Sequence, residues 1–237
     1  MSHHPTMIAT DCAARSHRRM ALVTLLLGMT AALGGCALAD KPQRADIYDF
    51  GPGDTFGQRT TNPLAAALAP LALAEVEANP ALDSTAVVYR LAYDNVQQLR
   101  PYAQARWSMP PAQLVRQRLR SQLGLRRAVL NPGEGVAANT KAPGADLGMR
   151  LLRVELEEFS QVFESATRST GLVRLRATLV LPAAAGERLL AQREFTLQRP
   201  APSLDAAGGV RALTLATDAA VHELDQWLQQ VASSVPN

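Results

Sequence analysis

The chain has 237 residues, of which 47% are hydrophobic and 19% charged, with a formal net charge of +3 and two cysteines. This hydrophobic content excludes wholesale disorder and allows one fairly large domain, or two small ones, with a buried core. Two cysteines exclude a disulfide framework and a zinc site built from cysteine alone.

The N-terminal segment has the pattern of a secretory signal peptide. Residues 1–19 end in a basic group, and the fourteen residues 20–33 carry no charge. A basic segment followed by an apolar stretch and small residues is typical of an export signal. The stretch is too short to span a membrane, which takes about 20 residues. A buried core helix is the alternative, and the polar residues that follow disfavour it. We therefore predict that residues 1–35 are removed.

The signal ends in a sequence that resembles the bacterial lipobox, Leu33-Gly34-Gly35-Cys36. The resemblance implies cleavage between Gly35 and Cys36, a diacylglycerol group on the Cys36 thiol and an acyl chain on its new amino group. Several acyl chains hold a protein stably at a membrane, whereas one holds it only marginally. Ala37 stands where an aspartate would favour retention at the inner membrane. The resemblance therefore predicts an anchor on the periplasmic face of the outer membrane.

Removal of the signal changes the charge of the chain. The signal holds three of the 24 basic residues and one of the 21 acidic residues, which leaves a net charge of +1. A nucleic-acid partner is therefore not expected, because a basic surface is the first requirement for one. Cys12 and three of the four histidines are also lost, so that His222 is the last imidazole.

The rest of the chain is predicted to be a lipidated N-terminus and tether (36–46) and one periplasmic domain (47–233). Apolar residues at helical spacing predict one helix at about 110–124 and another at about 205–233. Alternation of apolar and polar residues predicts antiparallel strands in the second half of the chain. Loops are expected at 52–63 and 131–145. The expected fold is α+β, with a mostly antiparallel sheet packed by two main helices. Strands are predicted at residues 47–50, 71–76, 86–93, 152–157, 173–181 and 189–197.

The residue types that catalysis requires are scarce. His222 lies within a predicted helix, and no Gly-x-Ser-x-Gly sequence supplies a nucleophile. The remaining cysteine and histidine cannot form a metal site by themselves, and no phosphate-binding loop is present. Glu155 and Glu157 share the polar face of a strand, where pairing with Arg174 and Arg176 is favoured over acid–base chemistry. We expect a protein that is not an enzyme and has no cofactor apart from its acyl chains.

Five arginines lie within twelve residues that include the first predicted helix. One interpretation places them on the polar side of an amphipathic helix, and the other has them contact an acidic partner or lipid phosphates. They are Arg116, Arg118, Arg120, Arg126 and Arg127.

Several short motifs follow one another along the chain: Tyr48-Asp-Phe-Gly51, Val87-Val-Tyr-Arg90, Tyr102-Ala-Gln-Ala-Arg-Trp-Ser-Met-Pro-Pro111, Gly186-Glu-Arg-Leu189 through Phe195, and Asp225-Gln-Trp-Leu228. Together with the lipobox at Cys36, they resemble the ABC-type transport auxiliary lipoproteins, which include the paraquat-inducible protein C lipoproteins. The Tyr…Arg-Trp-x-x-Pro piece is the most specific of them.

The resemblance implies a non-catalytic periplasmic subunit of an envelope lipid transport system, beside an ABC transporter and a mammalian-cell-entry-type protein. We expect contact with such a partner at Tyr102, Arg106 and Trp107, and at Arg116 and Arg120. The alternative for the first three residues is that they pack the start of the following helix. An alternative function is a lipid-binding or shuttling module with its own apolar pocket. Assembly into a homo-oligomer stays open.

Overall fold

The computed structural model describes residues 44–52, 68–134, 149–183 and 186–234. The predicted signal peptide, the lipobox and nearly all of the tether lie outside these residues, as do most of the loops expected at 52–63 and 131–145. The described residues from Ala45 onward belong to one compact unit.

Within the described residues, eight strands form one mixed sheet, which three helices accompany. The elements in chain order are β1 (Asp46–Tyr48), β2 (Leu71–Ala78), β3 (Ala86–Leu91), α1 (Ala92–Asn95), β4 (Val96–Trp107), α2 (Pro111–Leu123), β5 (Val129–Leu130), β6 (Arg150–Ser165), β7 (Arg168–Ala183), β8 (Gly186–Pro200) and α3 (Ala206–Ser234).

Strand β6 organises the sheet because it is paired on both edges. One edge pairs antiparallel with β7, and β7 pairs antiparallel with β8. The other edge pairs in parallel with β2 along its first half and with β3 near its end, where Tyr89 lies opposite Gln161. Strand β3 continues antiparallel to β4, β1 lies parallel to β4, and β5 lies parallel to β2.

The α+β class is confirmed, but the expected mostly antiparallel sheet is wrong. Four of the seven strand pairs formed by the described residues are parallel. The long strands β6, β7 and β8 follow one another as hairpins, and their alternation is visible in the sequence. Each parallel pair joins strands that are far apart in the chain, and at least one strand of each pair is short. Local periodicity does not encode such pairs, because a parallel pair needs a long crossover connection.

The two long helices lie where their apolar spacing predicts them. Helix α2 starts at Pro111, whose missing N–H costs nothing in the first turn, and Gly124 donates a backbone hydrogen bond to the Arg120 carbonyl at its end. Helix α3 has an apolar stripe that includes Leu213, Leu224 and Trp227, all of them buried. No helix in the described part of the chain is long and apolar enough to cross a membrane.

The first turns of helix α3 approach the sheet closely where glycine lies at two of the contacts. A Cβ atom built on Gly209 would collide with the side-chain carbonyl of Gln161 in β6, and one built on Gly171 in β7 would lie 2.6 Å from the Ala212 backbone carbon. The start of the helix is capped by Asp205, whose Oδ1 accepts hydrogen bonds from the Gly208 N–H (2.7 Å) and the Ser203 hydroxyl (2.6 Å). These hydrogen bonds lower the pKa of Asp205.

The opposite face of β6, β7 and β8 is polar and carries cross-strand ion pairs. Arg176 pairs with Glu157 at 2.6 Å, Arg153 with Glu187 at 2.7 Å, and Arg174 with Glu194 at 3.5 Å. The arginine partners expected for the strand carboxylates are thus present, although Glu157 forms the short pair with Arg176 while Glu155 only lies opposite it in the register.

Candidate docking surfaces

The two residues of the Arg-Trp motif at the end of β4 differ in burial: Trp107 lies in the core, and Arg106 lies nearer the surface. The Trp107 side chain is 2% exposed, and its ring centroid lies 5.7 Å from that of Phe50 and 5.5 Å from that of Phe159. Arg106 is half-buried and donates hydrogen bonds to the carbonyls of Tyr102 (2.6 Å) and Ala105 (2.8 Å). Trp107 therefore packs in the core against Phe50 and Phe159, and the partner contact predicted for it remains a prediction.

Tyr102 belongs to a buried polar network. Its hydroxyl donates a 2.7 Å hydrogen bond to Gln161 Oε1, and Gln161 Nε2 donates one of 2.8 Å to the Ser169 hydroxyl. Gln161 and Ser169 are buried. Burial raises the pKa of the Tyr102 hydroxyl well above its ordinary value. The network connects β4, β6 and β7 directly beneath Gly209, so that the visible role of Tyr102 is to position strands.

The arginines of α2 bind groups of their own fold. Arg116 forms an ion pair with Glu75 (3.1 Å) and donates to Asn131 Oδ1 (2.9 Å), which also accepts from Arg120 (2.9 Å). Arg118 is 8% exposed, donates a 2.6 Å hydrogen bond to the Phe50 carbonyl and pairs with Asp218 at 3.2 Å.

The two arginines after α2 share one carboxylate. Arg126 and Arg127 contact Asp225 of α3 at 3.1 and 2.7 Å. All five arginines of the basic run thus hold α2 and the turn after it against neighbouring elements. The partner contacts predicted for Arg106, Arg116 and Arg120 remain predictions, and such a contact would compete with these internal hydrogen bonds.

The surface of the described residues includes a small and a larger recess. A small one of about 50 Å³ lies between the end of α3 and the sheet and is lined by Leu71, Leu179 and Leu228 beside Arg127 and Arg150. A more open one of about 270 Å³ is lined by the acidic residues Glu77, Glu155 and Glu157, together with Ala78, Asn79 and Leu156. The smaller one is mainly apolar, whereas three carboxylates dominate the larger.

Besides residues 73–78 of β2, which lie beyond its pairing with β5, the sheet has two longer edges that no described strand covers. One is the first part of β4, because β1 pairs only with residues 105–107. This edge contains Pro101, which cannot donate a backbone hydrogen bond to an added strand. The other is the whole outer edge of β8, whose only proline is its last residue, Pro200. An uncovered edge of this kind is a template for strand addition.

Three arginines on β8 were not selected from the sequence. Arg193 and Arg199 alternate in step with the buried Phe195 and Leu197, and this spacing could have placed them on the helix-bearing side of the strand. Arg188 lies on the helix-bearing side because the register between β7 and β8 shifts between Leu179 and Val180. The periodicity of the sequence does not reveal this shift.

These features define an α+β domain with one helix-bearing face, one polar face and open strand edges. The family model for the ABC-type transport auxiliary lipoprotein component matches residues 55–235. The chain belongs to this family, which confirms the resemblance found in its motifs. Membership gives the protein an accessory, transport-related role and a membrane-anchored location in the cell envelope.

Two solved structures have a similar fold. Protein XCC0632 from Xanthomonas campestris, of the family DUF330, is 19% identical with a TM-score of 0.57, over 73% of this chain and 91% of that chain. An uncharacterized protein is 14% identical with a TM-score of 0.54, over 78% of this chain and 99% of that chain. At these identities the likeness establishes the fold alone. No protein among the curated ones matches this chain.

Proposed function

We propose that this protein is a non-catalytic subunit of an envelope lipid transport system, anchored to the periplasmic face of the outer membrane through acyl chains on Cys36. In this role it docks a mammalian-cell-entry-type protein that works with an ABC transporter. The observation that carries the proposal is the family match over residues 55–235, which includes nearly the whole domain. The lipobox at Cys36 and the absence of aspartate at position 37 support the site of anchoring.

The charged groups of the domain are largely engaged within the fold. Glu157 and Glu187 on the polar face and the arginines of α2 form ion pairs or hydrogen bonds. His222, the histidine outside the signal, lies exposed on α3 against Gln226. No group of three potential metal ligands is present in the described residues.

The alternative of a shuttling module finds less support. A site that holds a lipid-sized ligand takes about 300 Å³ or more and is mostly apolar. The apolar recess beside Leu228 measures about 50 Å³, and the larger one is lined by carboxylates. In the described residues, the space between helix α3 and the sheet is instead filled by packed side chains such as Leu213 and Leu224.

Mass spectrometry of the native membrane protein tests the anchor. The mature chain should begin at Cys36 and carry acyl chains, and Cys36→Ala should remain unprocessed or become soluble, whereas Cys12→Ala should be processed normally because Cys12 lies in the removed segment. An unmodified Cys36 in native membranes would disprove the anchor. Crosslinking in intact cells tests the partner and should trap a mammalian-cell-entry-type protein.

A further inference from the structure

The outer edge of β8 is a backbone surface of fifteen residues, Gly186–Pro200, paired on one side only among the described residues. Protein sheets protect such edges with internal prolines, short strands, β-bulges, charged side chains or a covering element. β8 is long and has no internal proline, and no described element pairs with its outer edge; its charged side chains and its bulge opposite Leu179 and Val180 restrict which strand can add to it. It is therefore suited to accept an extended segment of another chain by strand addition.

The side chains along this edge form two rows of different charge. Arg188, Arg193 and Arg199 lie on the helix-bearing side, in register with Leu181, Ala177 and Gly171 of β7. The opposite row carries Glu187 and Glu194. The two glutamates are paired with Arg153 and Arg174 of the same sheet face.

The three arginines of the first row form no salt bridge with any described residue. Arg193 lies 5.0 Å from the Phe195 ring centroid, and Arg199 donates to the Gln198 carbonyl, whereas the arginines of the opposite face all bind carboxylates. Arg188 and Arg193 are exposed. On the helix-bearing side, the outer edge of β8 therefore presents positive charge that no described carboxylate neutralises.

A second copy of this chain does not suit the edge. In a two-fold dimer joined through β8, the two β8 strands would be antiparallel, and the same face of each copy would lie on the same side of the combined sheet. Arginines of one copy would then face arginines of the other, and like charges placed opposite each other on neighbouring strands are destabilising.

We infer that the β8 edge binds an extended segment of a partner protein that carries acidic residues at every second position, so that its carboxylates lie over Arg188, Arg193 and Arg199. The inference rests on the proposed docking function, because it names the surface through which the domain would engage its transport partner. Backbone hydrogen bonds supply affinity, and the arginine row selects the partner and its register.

Peptide binding to the full mature chain tests the inference directly. The probe is a synthetic peptide of the length of β8 with glutamate at every second position, and its control has the same composition with the glutamates in one block. The alternating peptide should slow hydrogen exchange of the amides within 187–199, and the block peptide should not. Equal binding of the two peptides, or no protection of β8 by the alternating one, would overturn the inference.

Charge reversal supplies the matched variants. Arg188→Glu with Arg193→Glu should weaken binding of the alternating peptide about tenfold, because two cross-strand charge pairs change from attractive to repulsive. Arg100→Glu with Arg211→Glu makes the same change in net charge away from β8 and should leave binding unchanged; loss of binding here would overturn the inference. A lysine-alternating peptide should bind the first variant better than the original chain, which also shows that the variant is folded.

Photo-crosslinking in cells separates this inference from the proposed function. A photoreactive residue at Gln192 on β8 should capture a transport component, and the Arg188→Glu, Arg193→Glu variant should lose it. Capture of a second copy from Gln192 would overturn the inference. If the transport component is captured from Tyr93, at the exposed α1, but not from Gln192, binding at the β8 edge is refuted while the proposed docking function is still supported. Capture from neither position counts against both.

Discussion

The hydrogen bond from Arg118 to the Phe50 carbonyl should make an outsized contribution to stability. Arg118→Met keeps an apolar stem of similar length and removes the guanidinium group. The Phe50 carbonyl then loses its 2.6 Å hydrogen bond inside the core, and the ring of Phe50 loses a cation 5.8 Å from its centroid. An unpaired buried acceptor costs about 1–3 kcal/mol, and the cation–π contact adds about 0.5–1 kcal/mol.

Loss of the ion pair with Asp218 adds to this cost, because the Asp218 side chain is 41% exposed but the Oδ1 atom that faces Arg118 is buried. We therefore expect a loss of about 3 kcal/mol in the free energy of unfolding. For a domain of this size, that corresponds to a fall in Tm of about 6–12 °C. The measurement is chemical and thermal denaturation of the mature chain, followed by circular dichroism.

The matched control is Arg126→Met, which removes another arginine that is paired with a carboxylate. Arg126 is 47% exposed, and Asp225 keeps its 2.7 Å contact with Arg127 when Arg126 is replaced, so the loss should be below about 1 kcal/mol. Hydrogen exchange in residues 46–50 should also accelerate in Arg118→Met and stay unchanged in the control. Equal destabilisation by the two variants, or unchanged exchange in β1, would refute the argument that the buried carbonyl makes the difference.

Three further predictions concern the contact between helix α3 and the sheet. Gly209→Ala should destabilise the fold by about 2 kcal/mol or more, because the added methyl collides with Gln161; denaturation measures the loss, and Ala207→Gly is the control for helix propensity. Because burial raises the pKa of Tyr102, the folded chain holds this proton more tightly than the unfolded chain, whose tyrosine titrates near pH 10. Stability should therefore fall as the pH rises above about 10, and Tyr102→Phe should flatten this alkaline fall; an unchanged pH profile would contradict the burial argument. Asp205→Ala should cost about 1 kcal/mol by removing the cap of α3, while Asp205→Asn should cost less; equal losses would argue against capping by a side-chain oxygen.

The parts of the fold that were predictable from the sequence are those that depend on local periodicity. The two long helices have apolar residues at helical spacing, and proline and glycine mark the ends of the first. The hairpins β6–β7 and β7–β8 show alternation over most of their length, such as Leu152 and Val154 against Arg153, and it is interrupted where the register shifts. The parallel placement of β2 and β3 along one edge of β6 was not predictable, because it depends on long crossovers and on pairing between residues as distant as Leu71 and Arg150.

The candidate contacts show the same limit at the level of single residues. The sequence shows that Arg118 and Arg120 are charged. It does not show that Arg118 is buried against the Phe50 carbonyl, or that Arg120 binds Asn131. Nor does the Arg-Trp motif show that Trp107 fills the core while Arg106 stays half-buried. Residue type predicts which groups can bind a partner, whereas the tertiary fold decides which of them are already bound.

Arg118 also connects the predicted anchor to the body of the domain. If the chain is lipidated at Cys36, the ten residues to Asp46 reach at most about 36 Å when fully extended. β1 is held at the sheet through Ser108, whose N–H donates to the Tyr48 carbonyl, and the segment after β1 is held by Arg118 at the Phe50 carbonyl. Because Arg118 also pairs with Asp218, these contacts connect the end of the tether to α3, which packs against β8.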